Sequence, residues 1–316
     1  MNKLYLTAQP HLFQGATKLS KNKNYFEGYY FKVNNDKEAI ALIPGISLYG
    51  KKKKAFIQVI TNENSYFINF PIEDFSYNHN PFYIKIKDNF FSLNNLHIDI
   101  KDRKQNLSIF GDIYYIDNTT IKRKLFSPNI MGPFTYFSCM ECKHAIISMK
   151  SKATGLIKIN EHKFEFKNNN GYMEKDYGIS FPQNYLWCQA NSFKNSKTAL
   201  MLSIADIPFK SIRFKGFICS FLLNDKEYRF ATYNKAKITK EKIANNSINI
   251  TFTKGKYSLN IKAKTNKSKE LFAPVIGKIQ KSIYESINAT VIITFKCENK
   301  IIYQDTSFSG GLEIVT

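Results

Sequence analysis

The chain has 316 residues, of which 43% are hydrophobic and 15% aromatic, which is enough apolar material for one large domain or two smaller ones. No window holds the roughly 18 uninterrupted apolar residues of a membrane helix, and residues 1–15 lack the apolar core of a signal peptide, so we expect a soluble, cytoplasmic protein. The formal net charge of +21 comes without any nucleic-acid-binding module, so we expect no nucleic acid partner, whereas peripheral contact with an anionic membrane would suit an apolar ligand.

Five cysteines in a chain without a signal peptide indicate free thiols, because an odd number cannot all be paired. Cys139 and Cys142 have metal-ligand spacing, but a structural zinc site needs four ligands and no second pair of this kind exists. We therefore predict no metal site.

Alternation of apolar and polar residues dominates the chain and predicts strands, for example over residues 82–87 and 96–101. No βαβ rhythm appears, which argues against parallel α/β folds. Because a single open sheet with more than about 10 strands tends to split or curl, we predict an all-β protein of two antiparallel, β-barrel-like domains in tandem. The predicted boundary divides residues 1–181 from residues 182–316.

The first segment with candidate site residues is NYFEGYYFKV at 24–33. As a strand it places Glu27 and Tyr29 on one face and Tyr30 and Lys32 on the other. A second candidate, at 131–149, carries Glu141 and His144 just before or within a strand. An aromatic core with capped polar residues is the commoner interpretation of both segments.

The most unusual segment is GYMEKDYG at 171–178, which holds three charged residues between two glycines. In an extended chain Glu174 and Asp176 point to one face and Lys175 to the other. Such a group fits either a functional site or a buried polar network, since perturbed carboxylates occur in both.

The next predicted strand, YLWCQA and Asn191, carries the chain's single tryptophan. Trp187, Gln189 and Asn191 share one face, while small apolar residues share the other. An aromatic ring beside two amides suits either a ligand cavity or the seam between the two domains.

One segment near the C-terminus predicts a helix. After Pro274, isoleucines at 276, 279, 283 and 287 recur at spacings of three and four, which is typical of one apolar helical stripe. Glu285 lies off this stripe.

These segments together resemble the tocopherol cyclase family. The resemblance runs in the same order through FEGYYFKV, IPGIS at 43–47, MGPF and MECKHAIISM within 131–149, GYMEKDYGISFP, LFAPVIGKIQKSIYES and the C-terminal SFSGGLEIV. The central GYMEKDYGISFP is the most specific part. The wider group includes carotenoid hydratases and some natural-product cyclases, and it implies two lipocalin-like domains.

The resemblance also implies a reaction. Tocopherol cyclases add a phenol oxygen across a prenyl double bond, which requires an acid, a shielded pocket for a tertiary cation and a fixed phenol. No metal or cofactor is needed for such an isomerisation. By this resemblance the acid is Asp176 or Glu174, with Glu27 as a third candidate. The implied substrate-binding residues are Trp187, Gln189, Asn191, Tyr29, Tyr30, Tyr177, Glu141 and His144.

Three functions therefore stay open from the sequence. The first is an enzyme that cyclises or hydrates a hydrophobic prenylated or polyene-like molecule with acid catalysis. The second is a non-catalytic carrier of such a molecule. The third is a structural protein whose cavity has closed. A desolvated carboxyl group beside an open apolar cavity favours the enzyme, whereas carboxyl groups tied in ion pairs favour the carrier.

Overall fold

The chain forms two large antiparallel sheets in a computed structural model that describes residues 8–21, 23–209, 212–265 and 267–316. The prediction of an all-β protein is confirmed, as is its division into two lipocalin-like sheets. The described part of the chain has one short α-helix, α1 (Ala16–Ser20). Across these same ranges, no helix has the length and hydropathy that a membrane crossing requires.

The first sheet has eleven strands in the order β4-β3-β2-β1-β11-β10-β9-β8-β7-β6-β5. Their bounds are β1 (Tyr25–Asn34), β2 (Ala39–Tyr49), β3 (Lys52–Thr61), β4 (Ser65–Pro71), β5 (Phe75–His79), β6 (Phe82–Ile86), β7 (Asn89–Ser92), β8 (Asn95–Asp102), β9 (Leu107–Thr119), β10 (Cys142–Ile159) and β11 (His162–Gly178).

The second sheet has ten strands, nine of them in the order β15-β14-β13-β12-β21-β20-β18-β17-β16, while β19 pairs only with β20. Their bounds are β12 (Tyr185–Ala190), β13 (Thr198–Phe209), β14 (Ile212–Leu223), β15 (Lys226–Ala231), β16 (Lys237–Ala244), β17 (Ser247–Lys254), β18 (Tyr257–Lys264), β19 (Lys269–Val275), β20 (Lys278–Cys297) and β21 (Lys300–Val315).

The first sheet curls around its own core. Ile68 on one edge strand and Phe75 on the other join the same cluster of buried side chains, so the two edges approach each other as in a nearly closed barrel. The N-terminal segment adds Leu12 and Phe13 to this cluster, and the ring of Phe13 lies 4.4 Å from that of Tyr77. A second cluster fills the concave side of the second sheet in the same way.

A third apolar cluster lies between the two sheets and holds them together. The first sheet contributes Ala41 and Met149, and the second contributes Met201, Leu222 and Ile287. Burial of one such Leu, Ile or Met side chain contributes about 1.5–3 kcal/mol, so a shared layer of many favours close packing of the sheets. The predicted boundary at 181–182 falls in the connection between β11 and β12, and the division into two domains stays a prediction.

The predicted C-terminal helix is wrong. Residues 269–297 form the hairpin of β19 and β20, with a turn at Ile276 and Gly277 whose φ values are 49° and 83°. A spacing of four residues fits a strand as well as a helix, and the buried residues Ile283, Glu285 and Ile287 alternate as in a strand. The two consecutive left-handed residues favour a tight hairpin turn, which the isoleucine periodicity does not reveal.

The tip of this hairpin docks on the first sheet. The hydroxyl of Ser47 donates to the carbonyl of Gly277 at 2.7 Å, and a β-carbon at Gly277 would lie 2.0 Å from the carbonyl oxygen of Leu48. Only glycine fits both this approach and the positive φ. The hairpin therefore closes one side of the space between the sheets.

Candidate active site

A cavity of about 180 Å³ lies between the two sheets. Its walls come from β1, β2, β3, β10 and β11 of the first sheet, from β12, β13, β14 and β21 of the second, and from the β19–β20 hairpin. Most of its surface is apolar, with the side chains of Phe26, Ile43, Phe56, Met131, Phe134, Met140, Phe181, Trp187, Phe214, Leu271, Phe272 and Ile283 among those exposed to it. An apolar hollow with a few polar groups is the usual form of a small-molecule site.

Strand β11 brings two carboxyl groups to this cavity. Glu174 and Asp176 line it, while Lys175 and Tyr177 between and beside them point to the opposite side of the sheet. This is the alternation that the sequence predicts. The two carboxyl groups of the charged triplet therefore face the cavity, and the lysine faces the core of the first sheet.

The imidazole of His144 lies between the two carboxyl groups. Its Nδ1 is 2.9 Å from Asp176 Oδ1, and its Nε2 is 3.3 Å from Glu174 Oε2. The second contact is out of line for a hydrogen bond, and Nε2 has no other hydrogen-bond partner among the described residues. His144 reaches this position because β10 pairs with β11, with His144 directly opposite Asp176.

These contacts keep His144 charged. Burial by itself would lower the pKa of His144, but the negative charges of Asp176 and then Glu174 raise it from 6.5 to about 10. At neutral pH the ring is therefore an imidazolium that lies between two carboxyl groups at the cavity wall.

Aromatic side chains complete the surroundings of Glu174. The indole Nε1 of Trp187 donates to Glu174 Oε2 at 3.2 Å, and the hydroxyl of Tyr172 donates to the same oxygen at 2.5 Å. The ring of Tyr30 meets that of Trp187 edge to face, with centroids 5.5 Å apart. Tyr30 and Trp187 also line the cavity, as does the exposed Glu141.

Three predicted site residues lie elsewhere. Glu27, Tyr29 and Tyr177 face the core of the first sheet and do not line the cavity. Glu27 forms an ion pair with Lys175 at 2.9 Å, in which both side chains are fully buried. The hydroxyl of Tyr29 donates to Glu27 Oε1 at 3.2 Å.

Gln189 and Asn191 lie in the seam between the sheets. Lys32 Nζ donates to Gln189 Oε1 at 3.3 Å, and Asn191 Nδ2 donates to the carbonyl of Gly171 at 2.8 Å. Neither amide lines the cavity. Of the two interpretations that the sequence left open, the structure places Trp187 in the cavity and the two amides in the seam.

Sequence reasoning missed a second acidic pair. Glu285 and Glu313 stand opposite each other on β20 and β21, Glu285 is fully buried, and Glu313 lines the cavity. Glu285 was missed because the predicted helix places it off the apolar stripe, and a residue there is expected to face solvent. Glu313 sits in the quoted C-terminal motif, and the only signal for it was its place in the otherwise apolar end of β21, residues 310–315.

One group of side chains could hold a metal ion. His144, Glu174 and Asp176 each offer one ligand atom, and these atoms lie within 4.8 Å of one another. A histidine ligand must have one unprotonated ring nitrogen, whereas both ring nitrogens of His144 face carboxyl oxygens, which suits a ring that is protonated at both. The arrangement fits an imidazolium better than a metal ligand.

Comparison with solved structures finds similar folds at low sequence identity. The crystal structure of CghA with Sch210972 superimposes with a TM-score of 0.58 at 6% identity, covering 92% of this chain and 88% of that chain. The crystal structure of kievitone hydratase from Nectria haematococca superimposes with a TM-score of 0.54 at 12% identity, covering 100% of this chain and 93% of that chain. At these identities the likeness concerns the fold. No curated protein sequence matches the chain.

The family model described as tocopherol cyclase-like matches residues 122–316, which include His144, both carboxyl groups of β11 and the β19–β20 hairpin. This match covers more than half of the chain and agrees with the resemblance in the sequence motifs. The chain belongs to the tocopherol cyclase-like family.

Proposed function

We propose that the protein catalyses the acid-dependent cyclisation or hydration of a hydrophobic prenylated or polyene-like molecule in the cavity between the sheets. The observation that carries this proposal is the charged group of buried Glu174 and partly buried His144 and Asp176 at the wall of a mainly apolar hollow. Buried, perturbed ionisable groups facing such a hollow are typical of active sites.

The charges of this group match the needs of a carbocation. Addition of a proton to an alkene creates a positive charge, which a fixed negative charge stabilises most strongly where water is excluded. Negative charge on Glu174 and Asp176 would provide it, and the rings of Trp187 and Tyr30 would add cation–π attraction. We propose these two carboxylates as the groups that stabilise the cation, held in place by His144.

The comparisons support the reaction class. The family is named for a cyclase, and the name of one structural neighbour is that of a hydratase. Another neighbour was crystallised with Sch210972. Cyclisation and hydration share their first step, because both begin with protonation of a carbon–carbon double bond.

A non-catalytic carrier is the second candidate. The carrier is favoured by the number of contacts that hold the two carboxyl groups. Both contact His144, and Glu174 also accepts hydrogen bonds from Tyr172 and Trp187. A carrier needs the apolar cavity but gains nothing from a buried charge beside its ligand. Turnover therefore separates the two functions.

Asp176→Asn and Glu174→Gln are each expected to lower turnover by about 10²–10⁴-fold, because each removes a charge that the transition state needs. The measurement is mass spectrometry of a synthetic prenylated hydroquinone incubated with the protein, together with the small molecules that co-purify with it. A product of unchanged mass indicates cyclisation, and a gain of one water indicates hydration.

The matched control for this experiment is Asp112→Asn. It breaks a similar contact, 2.9 Å between Asp112 Oδ1 and His97 Nδ1, at an exposed position outside the cavity. Turnover by this control should equal that of the unmodified protein. If both cavity variants turn over the hydroquinone at the unmodified rate, the two carboxylates have no role in catalysis. If the unmodified protein binds the molecule without converting it, the carrier is correct.

We also propose that the protein collects its ligand from an anionic lipid surface. Leu125 and Phe126 are 78% and 76% exposed and follow the exposed Lys122 and Lys124. The same connection between β9 and β10 continues into the cavity wall at Met131. Apolar side chains beside lysines suit the headgroup region of an anionic bilayer, and the net charge of +21 adds attraction.

Binding to vesicles tests this surface. Leu125→Asp/Phe126→Asp is expected to reduce co-flotation with vesicles that contain phosphatidylserine at least 10-fold, and high salt should weaken binding of the unmodified protein. Phe308→Asp, at a side chain that is 69% exposed on β21, is the control and should bind normally. Equal binding by the double variant and the control would rule out this segment as the docking surface.

A further inference from the structure

We infer that Glu313 is the proton donor of the cavity and that Glu285 is the positioning residue that shares its proton. This inference rests on the proposed function, since a proton donor requires a reaction to serve. It names an acid that the sequence analysis did not single out and that does not contact His144.

The register of the sheet places the two carboxyl groups side by side. Glu285 is paired directly with Glu313 across β20 and β21, so both side chains project from the same face. Glu285 is fully buried, and Glu313 lies within its hydrogen-bonding reach and opens to the cavity. Glu285 does not line the cavity itself, but two of its hydrogen-bonding neighbours, Glu313 and Tyr30, do.

The hydrogen bonds of this pair are incomplete unless it holds a proton. The hydroxyl of Tyr30 donates to Glu285 Oε1 at 2.5 Å, and that of Tyr185 donates to Glu313 Oε2 at 2.7 Å. The other oxygen of Glu285 is buried and has no donor within the part of the chain that the structure describes. A carboxylate only accepts hydrogen bonds. If Glu313 carries a proton, it can donate a hydrogen bond to the unpartnered oxygen of Glu285.

Nearby charges also favour one retained proton. The facing groups are Lys32, Tyr30 and Tyr185, with Glu174 and Asp176 farther along the wall. Lys32 Nζ donates to the carbonyl of Ser309 at 2.7 Å, and burial lowers its pKa to about 8. A single cation beside two buried carboxyl groups balances one negative charge, not two.

The pKa directions agree with this geometry. Burial raises the pKa of Glu285 to about 7, and burial together with the charge of Glu285 raises the pKa of Glu313 well above its usual range. The oxygen of Glu285 that lacks a donor places the shared proton on Glu313, from which it can be donated to Glu285, and Glu313 is the member that lines the cavity. A neutral carboxylic acid in an apolar site is the form that general acid catalysis needs.

Cyclisation balances without a co-reactant, and hydration needs only one water molecule. The O–H bond of Glu313 breaks as a C–H bond forms at the alkene, and the π bond is lost to leave a tertiary cation. The phenol oxygen, or a water molecule in hydration, forms the new C–O bond. Its proton then returns to the carboxylate pair, so that the acid is regenerated and only an isomer or a hydrate is released.

Two readouts test the inference separately. The first is the infrared carboxylic acid C=O band at pH 8, which we expect in the unmodified protein and expect Glu313→Gln to remove. Glu241→Gln, at an exposed carboxylate paired with Lys215, should leave the band unchanged. Absence of this band from the unmodified protein would show that the pair holds no proton and would overturn the inference, whatever the turnover.

The second readout is turnover of the prenylated hydroquinone beside its binding. Trp187 is the only tryptophan and lines the cavity, so its fluorescence reports binding. Glu313→Gln is expected to bind within about 3-fold of the unmodified protein but to lose at least 100-fold in turnover. Glu285→Gln should instead shift the loss of turnover at high pH to a lower pH. The reason is that it removes the negative charge that raises the pKa of Glu313.

The outcomes distinguish this inference from the proposed function. Full turnover by Glu313→Gln would overturn the donor role while leaving the cyclase or hydratase intact. No turnover by the unmodified protein would contradict the proposed function and the donor role, and the infrared band would still decide whether the carboxyl pair shares a proton.

Discussion

Lys175→Met is expected to lower the free energy of unfolding by about 3–5 kcal/mol, because it leaves the carboxylate of Glu27 buried without its counter-charge. The two side chains are fully buried and 2.9 Å apart. Lys175 Nζ also donates to the carbonyl of Leu12 at 2.7 Å, and burial lowers the pKa of Lys175. Chemical denaturation at pH 7 measures the loss.

The other hydrogen bonds of Glu27 do not involve Lys175, so they isolate the effect of the lost charge. Its carboxylate accepts from the hydroxyl of Tyr25 at 2.7 Å and from the backbone N–H of Gln14 at 2.9 Å. These donors remain in the variant, so the missing charge is the main change. The same contacts tie residues 12–14 to the first sheet, and the variant should therefore also loosen the N-terminal segment.

The double variant Glu27→Gln/Lys175→Met should recover much of the lost stability, because it removes both charges together. The surface variant Lys158→Met is the control. Its ion pair with the 96% exposed Glu161 should contribute less than about 1 kcal/mol. A loss below 1 kcal/mol for Lys175→Met would contradict the prediction. Turnover by the folded double variant also tests whether Glu27 takes part in catalysis.

The second large effect is a pH-dependent contribution of His144. Its pKa is raised from 6.5 to about 10 against the opposing effect of burial, because Asp176 and Glu174 favour its charged form. A group with a raised folded-state pKa contributes stability that is fully present below its unfolded value and is lost as the pH rises. The stability difference between the unmodified protein and His144→Gln should therefore be largest below pH 6.5 and shrink towards pH 10.

The size of this difference is expected to be on the order of 3–5 kcal/mol at pH 6, since one pKa unit corresponds to about 1.4 kcal/mol. Unfolding at pH 6, 8 and 10 measures it. The control is His97→Gln, at a half-buried histidine beside Asp112, which should show a much smaller change. A difference that is constant with pH, or that grows as the pH rises, would show that His144 is neutral at pH 6.

Short-range pattern was enough to predict the strands and the faces of their side chains. Strand alternation assigned Glu174 and Asp176 to one side of β11 and Lys175 to the other, because side-chain direction in a strand depends only on neighbouring residues. The motifs also sufficed for the family. The same local reasoning failed for residues 274–287, since isoleucines four apart suit a helix and a strand equally.

Only the tertiary structure decided which face of each strand borders the cavity. Tyr29 and Tyr30 are neighbours in sequence. The packing of the second sheet places Tyr30 in the cavity wall and leaves Tyr29 in the core of the first sheet. The pairing of Glu285 with Glu313 depends on the register between two strands. Register and sheet packing arise from contacts between residues far apart in the chain, so no local pattern encodes them.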